Sequence, residues 1–203
     1  MRDDLVAVGF DLDMTLIDPR PGMLAAMNQL AEESGLALDG AHFAANLGPP
    51  LDVVLRGFEA PEERIPGLMA RFRAVYPDVV VPNTLAMPGA LESLQAARSR
   101  GARTLVVTGK FEPNAKLHVE AFGWPVDVVA GGHWAEAKGV VLREHGARVY
   151  VGDHEGDVLG AKAAGAIAVA VPTGPCDADS LRAAGADVVL ADLTEFPDWL
   201  ASL

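Results

Sequence analysis

A single cysteine, Cys176, occurs in the 203 residues, so no disulfide can close within the chain and a cysteine-based zinc site is excluded. It follows Pro175 in an expected loop, and no neighbouring histidine or supporting motif marks it as a nucleophile. Basic residues are also scarce, with 16 Lys and Arg against 28 Asp and Glu for a net charge of -12, and they form no cluster. That balance argues against nucleic acid or an anionic membrane surface as a partner. No apolar run approaches the roughly 18 residues that span a bilayer, and Met1-Arg2-Asp3-Asp4 leads into the first strand without a signal-like apolar stretch. The expected location is cytoplasmic. Internal repeats and low-complexity segments are absent.

What is present is a chain with 50% hydrophobic content, long enough for one domain or one and a half with a substantial core. Val- and Ala-rich runs at residues 4–11, 103–108, 127–130, 147–152 and 167–171 read as buried strands, separated by helical stretches of about ten residues. This alternation predicts an α/β fold, a Rossmann-like parallel sheet flanked by helices. A short strand at Val188-Val189-Leu190 and a helix from Thr194 to Leu203 would complete it.

Residues 17–84 break the alternation, because only helical signals occur there. Met23, Leu24, Met27, Leu30 and Ala31 recur at helical spacing, as do Ile65, Leu68, Met69, Phe72, Val75 and Tyr76. Asp39 suits an N-cap and Gly48 a stop. Pro19, Pro21, Pro82 and Pro88 lie near the ends of the segment, where stiff hinges are expected. The reading is a helical insert over 17–84 between core segments 1–16 and 85–203.

The most informative feature is Val6-Ala7-Val8-Gly9-Phe10-Asp11-Leu12-Asp13-Met14-Thr15, an apolar strand with two carboxylates and a hydroxyl at its carboxyl end, where open α/β sheets place their chemistry. Residues two apart in extended chain project to one side, so Asp11 and Asp13 could face one centre. Such proximity calls for a cation or a shared proton. A helix cap followed by an acidic turn would explain Asp-x-Asp-x-Thr alone equally well. A second apolar run, Leu105-Val106-Val107, ends in Thr108-Gly109-Lys110, and a third, Val149-Tyr150-Val151, ends in Gly152-Asp153-His154-Glu155-Gly156-Asp157. Between them Lys138 opens an amphipathic helical segment.

Acid pair, hydroxyl, lysine and second acid pair, in that order over nearly the whole chain, resemble the haloacid dehalogenase superfamily. The resemblance implies that 17–84 is an inserted helical cap and that the chain is a phosphatase acting on a small phosphorylated metabolite. It implies Asp11 as the nucleophile that forms an aspartyl-phosphate, and Asp13 as acid and then base. It implies Mg²⁺ on Asp11, the backbone carbonyl of Asp13 and Asp153, with Asp157 as a further or water-mediated ligand. Thr108 and the amides after it would meet a phosphoryl oxygen, and Lys138 would neutralise developing charge. Standing alone, Thr108 would read as a helix cap and Lys138 as solvated. Lys110 competes for the cationic role, and only Lys110, Lys116, Lys138 and Lys162 exist.

Two positions depart from the family pattern. Met14 stands where Gly is common, which puts the direction of the turn in question, and Gly109 replaces a frequent Asn. Asp13 argues against a dehalogenase, whose first motif has an aromatic residue there. The absence of lysine between Thr15 and Lys110 argues against a phosphonatase, which uses a cap lysine. Asn46-Leu47-Gly48-Pro49-Pro50-Leu51 followed by Arg56, and Phe72-Arg73 with Tyr76, resemble the phosphoglycolate phosphatase branch. There Arg56 would meet a substrate carboxylate; the competing reading is that Arg56, Arg64, Arg71 and Arg73 form a solvated helix face. A sugar-phosphate mutase of the superfamily, a phosphorylated signalling receiver and a non-catalytic relative are the other functions weighed. The five histidines show no ligand spacing, although His154 adjoins the second acid pair. A monomer or homodimer is equally compatible with the sequence.

Overall fold

A computed structural model describes residues 5–203. The strand start read at residue 4 and the Met1–Asp4 lead-in lie outside those residues. The chain runs from strand β1 (Ala7–Phe10) through a tight turn to β2 (Ile17–Asp18), then into helices α1 (Arg20–Ser34), α2 (Gly40–Ala45), α3 (Leu51–Gly57) and α4 (Ile65–Val79). It returns by β3 (Leu85–Ala86), and alternation follows: α5 (Ala90–Ser99), β4 (Arg103–Val107), α6 (Glu112–Phe122), β5 (Val128–Ala130), α7 (Lys138–Glu144), β6 (Ala147–Gly152), α8 (Glu155–Ala164) and β7 (Ile167–Ala170). The chain closes with α9 (Ala178–Ala183), β8 (Val188–Val189) and α10 (Phe196–Ala201). No helix among the described residues is long and apolar enough to cross a membrane.

Six strands form one parallel sheet in the order β5-β4-β1-β6-β7-β8. Side chains along β1 alternate as the pleat requires: Val8 and Phe10 enter a cluster with Leu94, Val106 and Phe196, while Ala7 faces the opposite layer with Leu142, Tyr150 and Leu181. Gly9 allows this close layering, since a Cβ there would stand 2.7 Å from the Leu142 side chain and 2.9 Å from the Tyr150 side chain, which would have to shift. Buried on both faces, the strands read as nearly continuous apolar runs. Strand order reverses at β1, flanked by β4 and β6, so a crevice opens at the carboxyl ends of these three strands.

Helices α1 to α4 enclose their own apolar cluster, including Met23, Met27, Leu30, Leu68 and Phe72, as the helical spacing of those residues predicts, and Leu55 joins it from α3. Asp39 caps α2, accepting the His42 N–H at 2.8 Å. Gly48, expected as a helix stop, lies beyond the end of α2 at Ala45, in the loop before α3. The all-helical reading of 17–84 needs one correction. Ile17–Asp18 pairs antiparallel with Leu85–Ala86, so a two-stranded ribbon closes the base of the insertion. Two residues are too few to show a periodicity, and both positions of β3 are exposed.

Met14 explains how the chain leaves the sheet. It adopts φ 61°, the left-handed region that favours glycine, at a cost of about 1–2 kcal/mol. Its side chain is buried in the cap cluster, which offsets that cost. The turn is tight: the Leu12 carbonyl accepts from Leu16 and Ile17, and Met14 N–H donates to Ile17.

Candidate active site

Three adjacent strands deliver the site. Asp11 follows β1, and its N–H donates to the Val151 carbonyl on β6, continuing the ladder by one residue. Thr108 follows β4 and Asp153 follows β6. Lys138 stands at the first residue of α7, and Asp157 in the first turn of α8.

These groups converge in a small polar chamber of ≈ 20 Å³, walled by Asp11, Asp13, Thr108, Lys138, Asp153 and Asp157 among others. Lys138 is 1% exposed, and its Nζ lies 2.9 Å from Asp11 Oδ1, 2.5 Å from Asp157 Oδ1 and 3.0 Å from the Tyr150 hydroxyl. Tyr150 in turn donates to the Val107 carbonyl at 2.6 Å. Burial alone would lower the lysine pKa, but Asp11 and Asp157 together raise it, so the ammonium is fixed in place. Asp157 Oδ2 accepts from the His154 N–H at 3.0 Å. Thr15 donates to Asp153 Oδ1 at 2.7 Å.

Oxygen atoms of Asp11, Asp153 and Asp157 lie within 4.8 Å of one another. Burial pushes Asp11 up to about 6 against the pull of Lys138, with Asp157 pushing it further. Asp153 is raised well above the ordinary carboxylate range, first by burial and then by Asp157 and Asp11. One ammonium does not supply the positive charge that full ionisation of all three buried acids would need. An all-oxygen donor set of this kind suits a hard divalent cation.

The Asp13 carboxylate stands apart from that cluster. Its Oδ2 lies 2.9 Å from Lys110 Nζ, and its buried Oδ1 has no partner among the described residues. Thus the two lysines divide the acids: Lys138 serves Asp11 and Asp157, Lys110 serves Asp13. Lys110 also donates to the Tyr76 hydroxyl at 2.6 Å, and that hydroxyl lies 2.8 Å from His118 Nε2. His118 Nε2 shares its hydrogen bond with the Tyr76 hydroxyl, while its buried Nδ1 has no partner among the described residues. This buried chain joins α4 of the cap to α6 of the core. The sequence gives no sign of it, because Tyr76 and His118 are 42 residues apart.

Burial, and then the Lys110 charge, push His118 down to about 3 from an ordinary 6.5. Below the higher of those values the unfolded chain takes up a proton that the folded chain refuses. Stability should therefore fall as pH drops from 6.5 toward 3, with His118 contributing up to about 1.4 kcal/mol per pH unit. Urea unfolding of wild type and His118→Gln at about pH 7 and about pH 5 isolates that share. The stability of wild type relative to the variant should decline at the lower pH; a difference independent of pH would contradict the buried neutral imidazole.

Gly109 and Trp134 shape the mouth of the chamber. A Cβ on Gly109 would stand 3.2 Å from the Trp134 ring and 3.3 Å from the Gly48 carbonyl, so the small residue lets the cap loop lie close over the site. Trp134 leans on His154 with ring centroids 5.1 Å apart. Its place in a loop left no periodicity by which the sequence could mark it. His154 lines the chamber and caps α8, its Nδ1 accepting from Gly156 at 3.0 Å.

A second, larger cavity of ≈ 210 Å³ adjoins the chamber and shares Asp13, Leu47, Gly48, Gly109 and Lys110 with it. It lies between cap and core, lined by Met23, Phe43, Pro49, Met69, Phe72 and Phe111 among others, together with Arg73. Asp13 therefore borders both spaces. Arg56 lines neither. Its guanidinium, expected to meet a substrate carboxylate, instead binds Asp52 at 2.6 Å and Glu62 at 2.8 Å on the exposed side of α3. Acids four residues before it and six after it hold it outward.

The haloacid dehalogenase-like hydrolase family model matches residues 8–166. The chain is 32% identical to a phosphoglycolate phosphatase of Rhodospirillum rubrum, over 96% of this chain and 90% of that protein. It is 29% identical to a phosphoglycolate phosphatase of Caulobacter vibrioides, over 94% and 88% respectively. A haloacid dehalogenase-like family hydrolase from Streptococcus pneumoniae has the same fold, with a TM-score of 0.83 at 21% identity over 97% of this chain and 98% of that one. The chain belongs to the haloacid dehalogenase-like hydrolase family, on the branch that these phosphatase relatives occupy.

Proposed function

We propose that the protein is a Mg²⁺-dependent phosphatase that hydrolyses a small phosphate monoester through an aspartyl-phosphate on Asp11. The observation that carries this reading is the segregation of the acids: Asp11, Asp153 and Asp157 cluster together, two of them paired with Lys138, while Asp13 stands apart at the border of the larger cavity. That separation supports a reading in which one acid serves the phosphorus and another the leaving group.

Asp11 attacks phosphorus in line, and the bond to the ester oxygen breaks as Asp13 gives that oxygen a proton. Water then enters, Asp13 takes its proton, and the Asp11–phosphorus bond breaks to release phosphate. Thr108 and the amides beside it hold a phosphoryl oxygen. Lys138 supplies positive charge next to Asp11, while Lys110 orients Asp13. A divalent cation held by Asp11, Asp153, Asp157 and the Asp13 carbonyl would neutralise the phosphoryl oxygens. The names of the relatives suggest a carboxylated ester, of which phosphoglycolate is the simplest member.

Phosphate release from phosphoglycolate and from 4-nitrophenyl phosphate tests the reading. Turnover should require Mg²⁺, stop on chelation and return when Mg²⁺ is restored. Equal rates with and without the cation would count against it, and transfer of the phosphoryl group within a sugar phosphate would favour the mutase.

A further inference from the structure

The cavity between cap and core is larger than glycolate alone requires, and much of its lining is apolar. Glycolate has five non-hydrogen atoms; even at a whole water's share of about 30 Å³ each, they would leave part of the ≈ 210 Å³ empty. Phe43, Met69, Phe72 and Phe111 are among the residues lining that space, and their side chains reward hydrocarbon over a small, strongly hydrated anion.

Four charged side chains line the same cavity, and three have partners. Asp13 is paired with Lys110, and Asp52 with Arg56. Arg73 has no carboxylate partner among the described residues; its guanidinium lies 3.9 Å over the Phe111 ring. Stacking of this kind fixes the plane of the guanidinium and leaves its edge donors available for a bidentate anion. Arg73 belongs to α4 of the cap, and Phe111 immediately precedes α6 of the core. The pair is a cation held across the boundary between the two parts, on the leaving-group side of Asp13.

We propose that this cavity selects phosphomonoesters whose leaving group is an aromatic or hydrocarbon body larger than glycolate and carries an anionic group, with the body against the apolar wall and the anion on Arg73. The assignment rests on the phosphatase reading above. It identifies Arg73, rather than Arg56, as the residue that sets substrate preference.

Three esters test it with Mg²⁺ present: phosphoglycolate, phenyl phosphate and 4-carboxyphenyl phosphate. The carboxylated aryl ester should exceed phenyl phosphate in kcat/KM by roughly 10- to 100-fold, the range of a hydrogen bond to a charged group, and phosphoglycolate should fall below the carboxylated aryl ester. In Arg73→Met the loss for 4-carboxyphenyl phosphate should be at least about tenfold greater than for phenyl phosphate, expressed mainly in KM; Arg73→Lys should lie between. Losses equal for both aryl esters would remove Arg73 from substrate recognition. Phosphoglycolate as the best of the three would overturn the size argument while leaving the phosphatase reading intact. No hydrolysis of any of them would defeat that reading and this inference together.

Discussion

Asp11→Asn is expected to abolish phosphate release, by roughly 10⁴-fold or more, because an amide cannot form the acyl-phosphate and one of the three clustered carboxylate charges is lost. The fold should survive. Asp11 is held near about 6 by burial and by repulsion from Asp157, so the neutral amide relieves crowding even as it weakens the contact with Lys138. These effects oppose each other, and the unfolding free energy should move by no more than about 1–2 kcal/mol. Steady-state turnover and a urea unfolding curve on the same preparation check both statements. A folded variant retaining more than a small fraction of wild-type rate would remove Asp11 from the chemistry.

Lys138→Met should have the opposite character, damaging stability as well as activity. The side chain is buried against two carboxylates and the Tyr150 hydroxyl, and removing it leaves Asp11 and Asp157 without their only shared cation among the described residues. Breaking a buried pair in this way typically costs about 3–5 kcal/mol. Added Mg²⁺ should recover part of the loss, since a cation binding the folded state alone stabilises it by mass action. The urea midpoint with and without Mg²⁺ measures both effects. A midpoint equal to that of wild type in the absence of metal would mean that Lys138 does not balance these acids.

The strand-end positions of Asp11 and Asp153 were legible because buried parallel strands leave continuous apolar runs, and a carboxylate terminating such a run stands out. The helical insertion was legible for a similar reason: Met23, Met27 and Leu30, like Leu68, Phe72 and Val75, repeat at helical spacing and do form the cap cluster. The ribbon of Ile17–Asp18 with Leu85–Ala86 was not, being too short for any period. Nor could sequence decide which arginine faces the substrate cavity. Arg56 and Arg73 both lie on helices with apolar neighbours, and only the packing of α4 onto α6 turns Arg73 inward while nearby acids hold Arg56 out. The division of labour between the lysines was also hidden. Lys110 is separated from Asp13, and Lys138 from Asp11, by about a hundred residues or more, and the side-chain reach that pairs each with that acid exists only once β1, β4 and β6 are adjacent.

The central claim is that the phosphoryl group passes through Asp11 on its way to water. The stereochemistry at phosphorus tests that most directly, since the outcome does not depend on whether the aspartyl-phosphate accumulates. A phosphorothioate ester whose two non-bridging oxygens are different isotopes, hydrolysed in water of the third isotope, should give chiral inorganic thiophosphate with retained configuration, because two in-line displacements each invert it. Inversion would mean a single displacement by water and would contradict the account.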